Sequence, residues 1–172
     1  MLIRDILPAT PAHRALLRQL FELYAHDFSE MNNAEVDASG HFTPDDFLRG
    51  WWNAAGSFHP FLLRVDGHWA GFAFVQVGSY LAPKHNAHWL MDEFFILRNY
   101  RRTGLGSWFA TELFKRFPGT WEIGQIPQNT AAIAFWRSLL TQIASGRFEE
   151  MTVNNSEWRG VVQVVQIELD AP

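Results

Sequence analysis

The stretch FFILRNYRRTGLGSWFATELF, Phe94 to Phe114, restricts the fold of this chain more than any other. It begins as an apolar strand, passes through a short basic turn with Gly104 and Gly106, and resumes at once with helical spacing. Phe109, Leu113 and Phe117 align with Ala110 and Phe114 beside them, while Thr111, Glu112, Lys115 and Arg116 face away and Trp108 falls on the polar side. A strand feeding a helix through glycines aims unpaired backbone N–H groups and the positive end of the helix dipole at one point, and glycine lets an anion approach the backbone. Arg101 and Arg102 add charge at that point. Neither a phosphate loop nor a dinucleotide fingerprint fits, because no lysine follows Gly106 and no glycine lies three residues beyond it.

The flanking sequence places this unit in a mixed sheet. MLIRDIL reads as a first strand ended by Pro8. From Pro11, Leu17, Leu20, Phe21, Tyr24 and Phe28 form a helical stripe. SEMNNAEVDASGHF has no period and reads as a loop. TPDDFLRGWWNAA carries Thr43 as N-cap, Pro44 at the first helical position and Asp46 three residues after the cap, which predicts a second helix. FLLRVDGHWAGFAFVQVGSYL is a hairpin turning at Asp66-Gly67. HWLMDEFFIL, TWEIGQI and SEWRGVVQVVQIELD are strands, and NTAAIAFWRSLL is a helix with Ala132, Phe135, Trp136 and Leu139 on one side. The order, β α α β β β α β α β β, mixes hairpins with crossovers.

Composition sets the remaining bounds. A chain of 172 residues, 48% hydrophobic and 15% aromatic, fits one compact domain over residues 1–172 with a filled core. Net charge is −4 with no long basic run, which argues against nucleic acid as the main partner and gives a cation a favourable field. There is no cysteine, hence no disulfide framework, thiol nucleophile or thiolate metal site. The N-terminal run carries Arg4 and Asp5, and no apolar run approaches ~18 residues, so the expectation is a cytoplasmic protein with no membrane partner. His85 to His88, HNAH, precede a strand and lack a third ligand, so no metal site is expected.

The pattern Arg101-x-x-Gly104-x-Gly106 after an apolar strand resembles the signature of the GNAT family of N-acetyltransferases. Asn129, Ala132 and Phe135 match that family's Asn-x-x-Ala-x-x-Phe-Tyr helix, and the resemblance runs from the first strand to the last. It implies an α/β fold: a mixed, splayed sheet of six to seven strands flanked by about four helices. It also implies acetyl-coenzyme A as cosubstrate. The pyrophosphate would sit on the amides of Arg102, Thr103, Gly104, Leu105, Gly106 and Ser107 beside Arg101. The pantetheine arm would pair with Phe94, Phe95 and Ile96 as an added strand. Asn129, also readable as an N-cap, would contact the coenzyme arm or the acceptor side, and Trp136 would lie at the cofactor helix. Pairing of sheet edges into a homodimer is common among such proteins.

Amine acetylation needs a base, since an alkylammonium has a pKa of roughly 10. The candidates are Asp92 and Glu93, which strand alternation sends to opposite faces, and Glu122 in the next strand, which nothing local distinguishes. A charge in a run as apolar as WLMDEFFIL is costly to bury without a role or a partner. Trp136 stands where many relatives have tyrosine, and an indole N–H is no acid near neutral pH, so core packing is its favoured role. Either the thiolate leaves unprotonated, or Tyr24 or Tyr80 supplies the proton, or catalysis is lost. For the acceptor, Tyr24, Asp27 and Glu30, with Glu35 and Asp37, suit a cation by charge and cation-π contact, while Trp51, Trp52 and Trp89 line a pocket or pack the core. Two readings stand: an N-acetyltransferase for a small amine, such as an aminoglycoside-like polycation, and a catalytically silent acyl-coenzyme A binding module.

Overall fold

A computed structural model describes residues 2–44, 48, 56–81 and 88–168. Among these residues seven strands form one mixed sheet, and three α-helices accompany it. The elements are β1 (Arg4–Pro8), α1 (Arg14–Asn32), β2 (Phe58–Val65), β3 (His68–Gly78), β4 (His88–Ile96), α2 (Leu105–Arg116), β5 (Gly119–Gln125), α3 (Thr130–Ile143), β6 (Phe148–Asn154) and β7 (Arg159–Ile167). The sheet order is β1-β2-β3-β4-β5-β7-β6. The helix expected from Thr43 through Ala55 lies outside the described residues, apart from its first positions and Leu48, as do Trp51, Trp52 and His85.

Two compact units share the chain: Met1–Phe74 with Glu93–Leu97, and Val75–Asp92 with Arg98–Pro172. In the first, the stripe of α1 buries Leu17, Leu20 and Phe21 against Leu62, Phe72, Phe74 and Phe95. Phe21 stacks on Phe72 at 5.6 Å and Phe74 at 6.1 Å between ring centroids. β1 and β2 pair antiparallel from Arg4↔Val65 to Pro8↔Phe61. Pro8 therefore ends β1 from within, as an edge strand tolerates. The β2–β3 turn has Asp66 at φ 47° and Gly67 at φ 81°, the left-handed pair that a tight hairpin needs. Gly71 is required by space: a Cβ there would lie 2.1 Å from the Phe95 carbonyl oxygen.

Two regions differ from the sequence reading: the strand read from Ser156 starts only at Arg159, after a turn in which Asn155 Oδ1 accepts the Glu157 and Trp158 N–H groups, with β6 before it unread, and the end of α1 runs on. Ser29 to Asn32, which the missing apolar period assigns to a loop, form the last turn of α1. Asn33 adopts φ 55° and its N–H bonds the Ser29 carbonyl, a left-handed cap, while the Ser29 hydroxyl donates to the His26 carbonyl at 2.7 Å. These polar residues close a helix locally, which their composition conceals.

In the second unit, α2 buries Leu105, Phe109, Ala110, Leu113 and Phe114, and Phe114 meets Trp121 of β5 edge to face at 4.7 Å. Burying large apolar side chains of this kind contributes ~1.5–3 kcal/mol each. α3 buries Trp136, Leu139 and Leu140. β4 and β5 run parallel through Trp89↔Trp121, Leu90↔Glu122 and Met91↔Ile123, whereas β5 and β7 pair antiparallel from Gly119↔Ile167 to Gln125↔Val161. Leu90 and Glu122 stand side by side in that register, and this fixes much of the site below.

Candidate functional site

Between β4 and α2 the backbone makes the turn that the sequence anticipates. A 3-10 turn, Arg98–Tyr100, is closed by Arg101 N–H on the Arg98 carbonyl at 3.2 Å and by the Thr103 hydroxyl on the Tyr100 carbonyl at 2.7 Å. Arg102 at φ 60° and Gly104 at φ 81° are both left-handed. A Cβ on Gly104 would meet no atom within 4 Å, so dihedral angle rather than space demands glycine there. The Gly104 carbonyl accepts the Trp108 N–H at 3.1 Å, the first bond of α2. The N–H groups of Leu105, Gly106 and Ser107 thus precede the helical ladder. Buried Leu105 anchors the turn from below, and Arg101, Arg102, Thr103 and Gly104 are exposed. Backbone donors, helix dipole and two arginines at one exposed corner suit a multiply charged anion.

At the start of α3, the Asn129 side chain accepts the Ala132 N–H at 3.1 Å as a helix N-cap. Trp136 is 4% exposed, with its ring 4.9 Å from Phe135 and 6.3 Å from Phe114. Its surroundings are those of a core residue.

The carboxylates occupy quite different places. His88, Leu90 and Asp92 alternate along β4 and share one face, and the register puts Glu122 beside Leu90 on that face. Trp121 points the other way and donates its indole N–H to the Phe117 carbonyl at 2.8 Å. Glu122 is fully buried. It accepts the Ser79 hydroxyl at 2.7 Å, the Tyr80 backbone N–H at 2.6 Å and His88 Nδ1 at 2.6 Å. Nothing in its neighbouring residues singles it out; long-range folding does.

Asp92 lies under the Tyr80 hydroxyl, which donates to its Oδ1 across 3.4 Å. Burial pushes the Asp92 carboxyl above the usual aspartate range, and hydrogen bonds from Tyr80 and Gln76 offset only part of that push. Tyr80 is itself 7% exposed, packs on Trp158 at 4.6 Å and has its carbonyl bonded by Asn155 Nδ2 at 2.9 Å. Gly124 makes room for both rings, since a Cβ there would lie 2.9 Å from Trp158 and 3.0 Å from Tyr80. Sequence reasoning misses Ser79 and His88 as members of this cluster and offers Tyr80 only as an alternative acid. Their one sequence signal is that they bracket the β3–β4 connection.

The remaining candidates scatter. Glu93, Phe94, Phe95 and Ile96 belong to the first unit, and Glu93 is half-buried. Tyr24 sits among aromatic rings, 4.6 Å from Phe28, 5.1 Å from Phe21 and 5.6 Å from Phe95. Asp27 is half-buried with His26 Nδ1 4.0 Å away, and Glu30 is exposed on the last turn of α1. Asp37 organises its own loop by accepting from Ser39 and His41, contacts that hold its carboxyl below the usual range. Trp89 donates to the Pro118 carbonyl at 3.1 Å and packs on Phe117 at 4.8 Å. Among the described residues no three His, Cys, Asp or Glu converge as a metal site, and no helix is long and apolar enough to cross a membrane.

The fold is shared with known proteins. The structure is similar to an acetyltransferase from Thermus thermophilus, with 18% identity, TM-score 0.67, and 95% of this chain and 97% of that chain covered. It is similar to an aminoglycoside acetyltransferase in complex with coenzyme A at 16% identity and TM-score 0.65, with 95% of each chain covered. It also resembles spermidine N-acetyltransferase from Vibrio cholerae in complex with coenzyme A and spermine, at 9% identity and TM-score 0.62, with 95% of each chain covered. At these identities the likeness is one of fold. No curated protein sequence matches the chain. The profile of the acetyltransferase (GNAT) family matches residues 17–140, well over half the chain and including β4, the glycine turn, α2, β5 and most of α3, so the chain belongs to the GNAT family of acetyltransferases.

Proposed function

We propose that this protein is a single-domain, cytoplasmic N-acetyltransferase that moves the acetyl group of acetyl-coenzyme A to an amine of a small cationic acceptor, polyamine-like or aminoglycoside-like, by direct attack within a ternary complex. The observation that carries the chemistry is Asp92: a half-buried carboxylate, raised above its usual range, on the face shared with Tyr80. A carboxylate so raised is better matched to an ammonium proton at neutral pH than an exposed one. Asp92 takes one proton from the acceptor ammonium, directly or through water. The freed nitrogen attacks the thioester carbonyl, the carbon–sulfur bond breaks, and the sulfur leaves with its electron pair. The second nitrogen proton goes to that thiolate or to water. Of the two tyrosines, Tyr24 and Tyr80, we take Tyr80, whose hydroxyl donates to Asp92, as the one that takes part in the proton transfer.

For the coenzyme, Arg101 and Arg102 supply charge and the amides through Ser107 supply donors, with no side chain needed at Gly104. Phe94, Phe95 and Ile96 are assigned to the pantetheine arm, and Asn129 to that arm or the acceptor side. The relatives named for spermidine and aminoglycosides act on amines, which with the net charge of −4 supports a cationic acceptor. The second reading, a silent acyl-coenzyme A binding module, draws on Trp136, which has no hydroxyl to protonate a thiolate.

Calorimetric titration with acetyl-coenzyme A, followed by thiol release in the presence of spermidine, spermine, tobramycin and simple alkylamines, tests the proposal. Binding with amine-dependent thiol release is expected. Binding without release by any amine would favour the silent module, and no binding would remove the basis for both.

A further inference from the structure

We propose that Glu122 and His88 are positioning residues for the acceptor-side proton transfer, acting by fixing Tyr80 over Asp92; this rests on the transferase reading above. Glu122 cannot be the base that contacts the amine. It is fully buried, and its two oxygens already receive three donors: Ser79 hydroxyl and His88 Nδ1 on Oε1, and the Tyr80 N–H on Oε2. As the carboxylate is the acceptor in every contact, Nδ1 of His88 carries the hydrogen of that bond.

The donors come from the two ends of one connection. Ser79 and Tyr80 follow β3, and His88 opens β4. Glu122, from a third strand, ties both ends to one point. Tyr80 is then held by its N–H on Glu122, by its carbonyl on Asn155 and by its ring on Trp158. With backbone and ring both held, the place of the phenol oxygen is set, 3.4 Å from Asp92 Oδ1. A proton transfer depends steeply on such placement, so loosening Tyr80 weakens the chemistry without touching the coenzyme turn.

The test is a double-mutant cycle on turnover with an active amine, using Glu122→Gln, Tyr80→Phe and the double variant. Glu122→Gln puts an amide N–H against a donor. It is expected to lower kcat by about tenfold to a hundredfold with KM for acetyl-coenzyme A unchanged, and to cost less than about twofold in the Tyr80→Phe background. Additive losses, or an unchanged kcat in a folded Glu122→Gln protein, would overturn the inference. Should Glu122→Gln fail to fold, His88 reads the same device. His88→Ala removes a donor and is expected to lower kcat, whereas His88→Asn, whose side-chain N–H stands near the position of Nδ1, is expected to restore it. Equal kcat in both His88 variants would overturn the inference. A wild-type protein inert toward every amine would sink the transferase reading and this inference with it, whereas an active wild type with additive variants sinks this inference alone.

Discussion

The glycine turn and the Glu122 cluster are built in opposite ways. The turn is exposed, local and made of backbone: the N–H groups of Leu105 to Ser107 lie ahead of the helical ladder, in a turn held by hydrogen bonds that span three or four residues. The cluster is buried, non-local and made mostly of side chains, with Tyr80 bonded to Glu122 across 42 positions and His88 to Glu122 across 34. A backbone site asks little of its residue types beyond glycine at a positive φ. A side-chain cluster asks for several particular residues and for a topology that brings them together.

The widest separation between the two regions is expected from Asp92→Asn. If Asp92 is the base, kcat falls by ~10² to 10⁴, the usual worth of a general base, while calorimetric affinity for acetyl-coenzyme A stays unchanged. A loss of coenzyme affinity of similar size would break the comparison. Gly104→Ala acts on the other region. A left-handed residue with a Cβ costs about 1–2 kcal/mol, so coenzyme affinity should drop about fivefold to thirtyfold, with kcat at saturation retained.

A smaller effect separates activity from stability at Asp92 itself. Its folded carboxyl is raised, so the folded protein holds that proton more tightly than the unfolded chain does. The stabilising contribution is present at acid pH and is lost as pH rises through the raised folded value. Asp92→Asn should therefore raise the melting temperature at neutral pH, with the advantage vanishing in acid, a scan of Tm against pH being the measurement. The sign is opposite for turnover: the wild-type rate should fall as pH drops through that same raised value. The smallest effect is expected from Arg101→Gln, a few-fold loss of coenzyme affinity that shrinks as salt is added, because an exposed charge is screened.

How much is legible in the sequence follows this division. The turn, α2 and the Asn129 cap are legible because glycine, arginine and helix-cap chemistry act over three or four residues. The Asp66-Gly67 hairpin is legible for the same reason. The last turn of α1 is not, since Ser29 and Asn32 look like loop residues until Asn33 caps them. Asp92 is legible as a charge in an apolar strand, though not the burial that raises its carboxyl. The bonding of Glu122 is hidden, because TWEIGQI contains none of the residues that bond to it.

Local spacing by itself thus determined the family-level fold and the strand-turn-helix, since those depend on dihedral angles and apolar period. Tertiary structure alone decided which carboxylate is raised and which is bonded by three donors. Desolvation and hydrogen bonding depend on what folds over a residue, and the parallel β4–β5 register, with Tyr80 bonded to both carboxylates, sets that for Asp92 and Glu122.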